Sequence, residues 1–81
     1  MSISHFEILY NNYMRLKELR EENDYKQEYI ASIIGVKQNA YSQYETGKRQ
    51  IPVEALIKLA NFYDVSVDYI LNRTDNPELN K

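Results

Sequence analysis

Apolar residues recur at helical spacing along most of the chain, in blocks separated by turn-forming residues. The first block holds Phe6, Leu9, Tyr10, Tyr13, Leu16 and Leu19. Ser4 and Glu7 stand where a capping box would open it, the hydroxyl and the carboxylate each satisfying an orphan amide of a first turn. The spacing predicts a helix over residues 4–23. A shorter helix capped by Asn12 is the alternative, because Asn11-Asn12 is poor helix material. After a turn at Asn23-Asp24-Tyr25, Ile30, Ala31 and Ile34 form the inward face of a helix over residues 27–34. Gly35 is free to take the left-handed conformation that ends it.

Only Val36 and Lys37 separate that helix from the next, residues 38–45, whose inward face is Ala40 or Tyr41 with Tyr44. Thr46-Gly47 closes it in the same way. Pro52 suits a helix start, since it has no amide to satisfy there. Val53, Leu56, Ile57 and Ala60 continue the pattern to Phe62 or Tyr63. Asp64-Val65 turns the chain, and Ser66 is placed to cap a last helix over residues 67–71. Residues 72–81 are polar, contain Pro77, and are expected to fray. The result is five helices and no strand.

Eighty-one residues make about one domain, with a single core. The 43% apolar fraction excludes wholesale disorder, and two glycines and two prolines are too few for a turn-rich β fold. With no cysteine there is no disulfide and no thiolate metal site. The longest apolar runs fall well short of the ~18 residues that a membrane span needs, and the start of the chain does not read as a secretory signal, so a cytoplasmic location is expected. His5 is the single histidine, and no phosphate-cradling glycine loop is present. Ser42 has no neighbouring base to activate it. No enzymatic function, cofactor, metal or small-molecule substrate is expected.

The net charge of −2 argues against nucleic acid only until its distribution is seen. Residues 37–49 carry Lys37, Lys48 and Arg49 against Glu45, a local +2 on an otherwise acidic chain. Such a segment can hold phosphates without long-range steering.

The informative stretch is residues 27–46. Two helices joined by so short a turn cross near their ends. The residue at the crossing must be small, as Ala31 is, and the reversal wants a backbone that tolerates positive φ, as Gly35 does. This stretch resembles the helix-turn-helix domain of phage Cro and lambda-type repressors, the XRE family. Residues 15–71 carry the resemblance. Its pieces are Arg-Leu-Lys-Glu-Leu-Arg at 15–20, Gln27, Ile30-Ala31, Gly35-Val36, Ser42, Tyr44-Glu45-Thr46-Gly47-Lys48, Leu56-Ile57-Lys58-Leu59-Ala60 and Val65-Ser66-Val67-Asp68-Tyr69.

The resemblance implies an all-α, compact five-helix lambda-repressor-like DNA-binding domain. Residues 13–71 would form it, with an N-terminal helical extension at 1–12 and a polar tail at 72–81. It implies that residues 38–45 are a recognition helix whose Gln38, Asn39, Ser42 and Gln43 face the bases. Amide side chains both donate to and accept from an adenine edge in the major groove, and Gln adapts to guanine. Gln27, at a helix N-terminus, would bind a phosphate with help from the helix dipole. Lys37 stands where the family usually has Ser or Thr, within reach of a phosphate or a guanine. Lys48 and Arg49 would clamp the backbone. Arg20 and Glu45 occupy positions that form a partly buried ion pair in similar repressors. Tyr41 replaces the family's usual branched aliphatic, and its hydroxyl must reach a partner or water.

The function implied is a sequence-specific regulator of transcription, a repressor in the first instance, binding double-stranded DNA as a homodimer. The dimer surface would lie around residues 62–71 or on the N-terminal extension. Tyr29 and Ile33, one turn apart on a face that is usually polar, would serve either as a docking strip for residues 6–13 or as a protein-partner site. An antitoxin-like module that binds operator and protein, and a helical adaptor without DNA contact, are the alternatives.

Overall fold

The computed structural model describes residues 14–78. Five helices follow one another: α1 (Leu16–Glu22), α2 (Gln27–Ile34), α3 (Gln38–Thr46), α4 (Val53–Tyr63) and α5 (Val67–Ile70). The described residues contain no strand. The core is built from one stripe of each helix, with Leu16, Ile30, Tyr41, Leu59 and Ile70 the largest fully buried side chains.

Three of the four inter-helix turns share one device. At the end of α2, Gly35 is left-handed at φ 75°. Its N–H donates to the Ser32 carbonyl (3.3 Å), and the Val36 N–H donates to the Ala31 carbonyl (3.0 Å). This is a Schellman closure, which satisfies carbonyls that the helix end would orphan and folds an apolar residue back onto the core. No atom lies within 4 Å of where a Cβ on Gly35 would stand, so glycine is needed here for its φ and not for space. The ends of α1 and α4 close the same way around Asp24 and Asp64, both at φ 59°. Tyr25 and Val65 take the place of Val36, donating to the Arg20 carbonyl (3.0 Å) and the Ala60 carbonyl (2.9 Å). Aspartate tolerates the left-handed region better than most side chains. Ser66 caps α5 as expected, its hydroxyl accepting from the Tyr69 N–H at 3.0 Å.

The first helix departs from expectation. Met14 and Arg15 are not helical, so neither a helix over residues 4–23 nor one begun at Asn12 forms. The reason is long-range. The Arg15 N–H donates to the Ile70 carbonyl at 2.7 Å instead of to a carbonyl one turn earlier. The capping box at Ser4 and Glu7, His5 and the apolar residues up to Tyr13 lie outside the described residues.

The segment after α5 also makes contacts that spacing did not announce, as far as residue 78. The Arg15 guanidinium donates to the Tyr69 carbonyl (2.9 Å) and to Asp75 Oδ1 (2.8 Å). It also lies 4.2 Å over the Tyr69 ring. The Ser66 N–H donates to the Pro77 carbonyl at 3.0 Å. A half-buried cation thus collects the chain that follows α5.

In α4 the apolar stripe is narrower than its spacing suggests. Ala55, Leu56, Leu59 and Ala60 are buried, whereas Val53 and Ile57 are 66% and 48% exposed. In α3 the inward residue is Tyr41 rather than Ala40, which is half-buried.

Candidate nucleic-acid interface

The tight α2–α3 turn brings the start of α3 beside the start of α2. There, four polar side chains form a continuous chain. Arg20, on α1, donates from Nε to Glu45 Oε2 (2.6 Å) and from Nη2 to Glu45 Oε1 (3.2 Å). Its Nη1 holds the Tyr25 carbonyl at 3.0 Å. Gln27 Nε2 donates to Glu45 Oε1 (3.0 Å), and Gln38 Nε2 donates to Gln27 Oε1 (2.7 Å). The chain therefore runs from beneath α3 to its solvent-exposed first turn.

The Glu45 side chain is 2% exposed and that of Arg20 is 13% exposed. Burial alone would push the Glu45 carboxyl upward, but the bonds from Arg20, with the neighbouring Tyr41 hydroxyl and Gln27, outweigh it and hold the group below the ordinary carboxylate range. The Glu45 bonds in turn raise Arg20, which is charged at every working pH.

Tyr41 lies under the same pair. Its hydroxyl faces the Glu45 carboxylate and helps to lower it, but makes no hydrogen bond of good geometry to any described protein group. Burial pushes its ionisation far upward, and the Tyr63 hydroxyl shares both conditions.

The other expected contact residues distribute unevenly. Gln38 and Asn39 are exposed on the first turn of α3, whereas Ser42 and Gln43 are half-buried. Lys37 is the N-cap of α3, extended at φ −79°, and caps it with no side-chain hydrogen bond. Lys48 and Arg49 are exposed in the loop after Gly47. Sequence reasoning missed Lys26. It is the N-cap of α2, likewise without a side-chain cap. It lines an open groove of about 440 Å³ with Arg20, Gln27, Glu28 and Gln38. Its place directly before Gln27 is the signal that the sequence carries for it. Lys26, Lys37, Lys48 and Arg49 enter no ion pair among the described residues. Both ends of the Gln27 carboxamide are engaged, by Glu45 and by Gln38.

Tyr29 is 46% exposed, but its ring meets those of Tyr25 (5.1 Å between centroids) and Phe62 (6.1 Å). Ile33 is half-buried. No group of metal-ligating side chains is present among the described residues, and none of their helices is long and apolar enough to cross a membrane.

The family model for the helix-turn-helix matches residues 16–70, the span from the first residue of α1 to the last of α5. The chain belongs to the helix-turn-helix family. This is the family that the sequence resemblance implied. Similar proteins include the HTH-type transcriptional regulator YobD of Bacillus subtilis, 42% identical over 64 residues, which are 79% of this chain and 57% of YobD. ImmR, an HTH-type transcriptional regulator of the same organism, is 36% identical over 83% of this chain and 53% of its own. The cryptic phage CTXphi transcriptional repressor RstR of Vibrio cholerae is 36% identical over 75% of this chain and 55% of its own. The chain spans about half the length of the curated relatives it matches. The crystal structure of a transcriptional regulator from Listeria innocua superposes with a TM-score of 0.69 at 28% identity, over 72% of this chain and 54% of that one.

Proposed function

We propose that this chain binds double-stranded DNA in a sequence-specific way and regulates transcription, as a repressor, with α3 as the helix that enters the major groove. The observation that carries this reading is the exposed Gln38 carboxamide on the first turn of α3, anchored from behind by Gln27 of α2. A tethered amide at the start of a helix suits bidentate contact with an adenine edge. Asn39 lies beside it, and Ser42 and Gln43 continue the same helix for bases further along the groove. Lys26, Lys37, Lys48 and Arg49, with Gln27 and the uncapped starts of α2 and α3, take phosphates.

Relatives named as transcriptional regulators and as a phage repressor support this reading. The protein works as a homodimer on a two-fold symmetric operator, with half-sites about one helical turn apart. The dimer surface lies around residues 62–71. Its place of action is the cytoplasm, and it performs no catalysis. A second reading, a module that also holds a protein partner on Tyr29 and Ile33, rests on the exposure of Tyr29.

The test is selection from a pool of random duplexes at moderate salt. Wild type is expected to enrich one defined sequence, and Asn39→Ala to lose about 1–3 kcal/mol on that sequence alone. Equal loss on specific and random DNA removes Asn39 from the base contacts. No retained duplex at all would leave a helical adaptor.

A further inference from the structure

We infer that Glu45 is a positioning residue for base recognition: acting through Gln27, its carboxylate sets which way round the Gln38 carboxamide meets the duplex. This rests on the reading of Gln38 as a base-contacting residue.

The argument follows donors and acceptors along the chain. An ionised carboxylate only accepts. Gln27 must therefore turn its amino end toward Glu45, as the 3.0 Å contact shows, and its carbonyl end is left facing α3. That carbonyl also only accepts, so Gln38 must turn its own amino end inward, at 2.7 Å. What remains of Gln38 for DNA is then settled: the carbonyl oxygen and the second N–H, in one order.

A free glutamine presents either order by a half-turn about its last torsion. Here that turn would set carbonyl against carbonyl. The anchor is the group least able to turn, because Arg20 grips both oxygens of Glu45 and the Glu45 side chain is 2% exposed. A glutamine at position 45 donates as well as accepts, and would no longer impose a direction on Gln27.

The experiment measures affinities of the full chain for the selected duplex and its single-base variants, for wild type, Q38A, E45Q and E45Q/Q38A. Q38A is expected to erase a preference of roughly 5- to 150-fold at one base position. E45Q is expected to weaken the preference at that same position by roughly three- to tenfold, as coupled neighbours do. Preferences elsewhere stay unchanged, and E45Q adds no change of preference in the Q38A background. Uniform loss of affinity in E45Q with the Gln38-dependent preference intact overturns the inference and leaves Glu45 purely structural. Unchanged preferences in Q38A overturn the reading of Gln38 itself, a separate result that takes the inference with it. Folding of each variant is checked by circular dichroism. If E45Q does not fold, Q27L carries the same test with the Arg20–Glu45 pair in place, and must shift preference at the Gln38 position.

Discussion

Arg15 caps the start of α1 and Arg20 lies in its last turn, and each meets a carboxylate at hydrogen-bond distance: Asp75 at 2.8 Å and Glu45 at 2.6 Å. The distances are alike and the surroundings are not. The Glu45 side chain is almost wholly buried, while that of Asp75 stands fully in solvent. A pair in water is screened and adds little. A pair under a helix is different in kind, because removing one partner strands a charge with little access to water. Arg15 has other holds on its surroundings, the Tyr69 carbonyl and ring, which do not depend on Asp75. Arg20 and Glu45 reach through Gln27 to the exposed face of α3. One arginine fastens the tail, and the other sets the seat of the helix that faces outward.

The contrast can be broken most directly at Glu45. Glu45→Ala is expected to lose about 3–5 kcal/mol in denaturant unfolding, the penalty of an unpaired buried guanidinium. A loss below 1 kcal/mol would mean that the pair behaves as a surface pair. Acid provides a related check. The folded-state pKa of Glu45 is depressed, so its contribution is fully present above the ordinary carboxylate value of about 4.3 and is lost as pH falls through its own lower value. Wild type should therefore lose stability over that interval more steeply than Glu45→Ala.

Tyr41 sharpens the picture by a smaller amount. Its buried hydroxyl approaches Glu45 without completing a hydrogen bond of good geometry, so Tyr41→Phe is expected to raise stability by about 1 kcal/mol, measured by thermal unfolding. A fall in Tm would show that the hydroxyl is satisfied after all. The smallest effect belongs to Asp75→Asn, which should leave both Tm and DNA affinity unchanged. A drop in either would place the exposed pair on the same footing as the buried one.

Much of this architecture is legible without coordinates, for local reasons. Gly35 and Gly47 end helices because few other residues sit comfortably at positive φ, and Pro52 and Ser66 stand at helix starts because of what their own atoms lack or accept. Ile30, Ala31 and Ile34 declare an inward face by spacing alone. The start of α1 was not legible, since it depends on a hydrogen bond to Ile70, more than fifty positions away. Val53 and Ile57 fit the helical period equally well, yet both stand exposed once the chain is folded. For the candidate site, the residue types on the outward face of α3 were readable, but the engagement of Gln27 from both sides was not. Spacing shows that two residues share a face. It does not show that amides on two different helices will meet.

The order of residues by itself therefore determined where helices stop, which stripe of each is apolar, and that an amide-rich turn of helix follows a tight reversal. These depend on φ preferences and on a period within a few neighbours. Tertiary structure alone decided that Arg20 and Glu45 meet in the dry and Arg15 and Asp75 in the wet, that Lys26 joins the groove, and that the Gln38 amide is held by Gln27. Those outcomes turn on solvent access and on which groups come together in three dimensions. Both arise only when distant segments exclude water from one place and leave it in another.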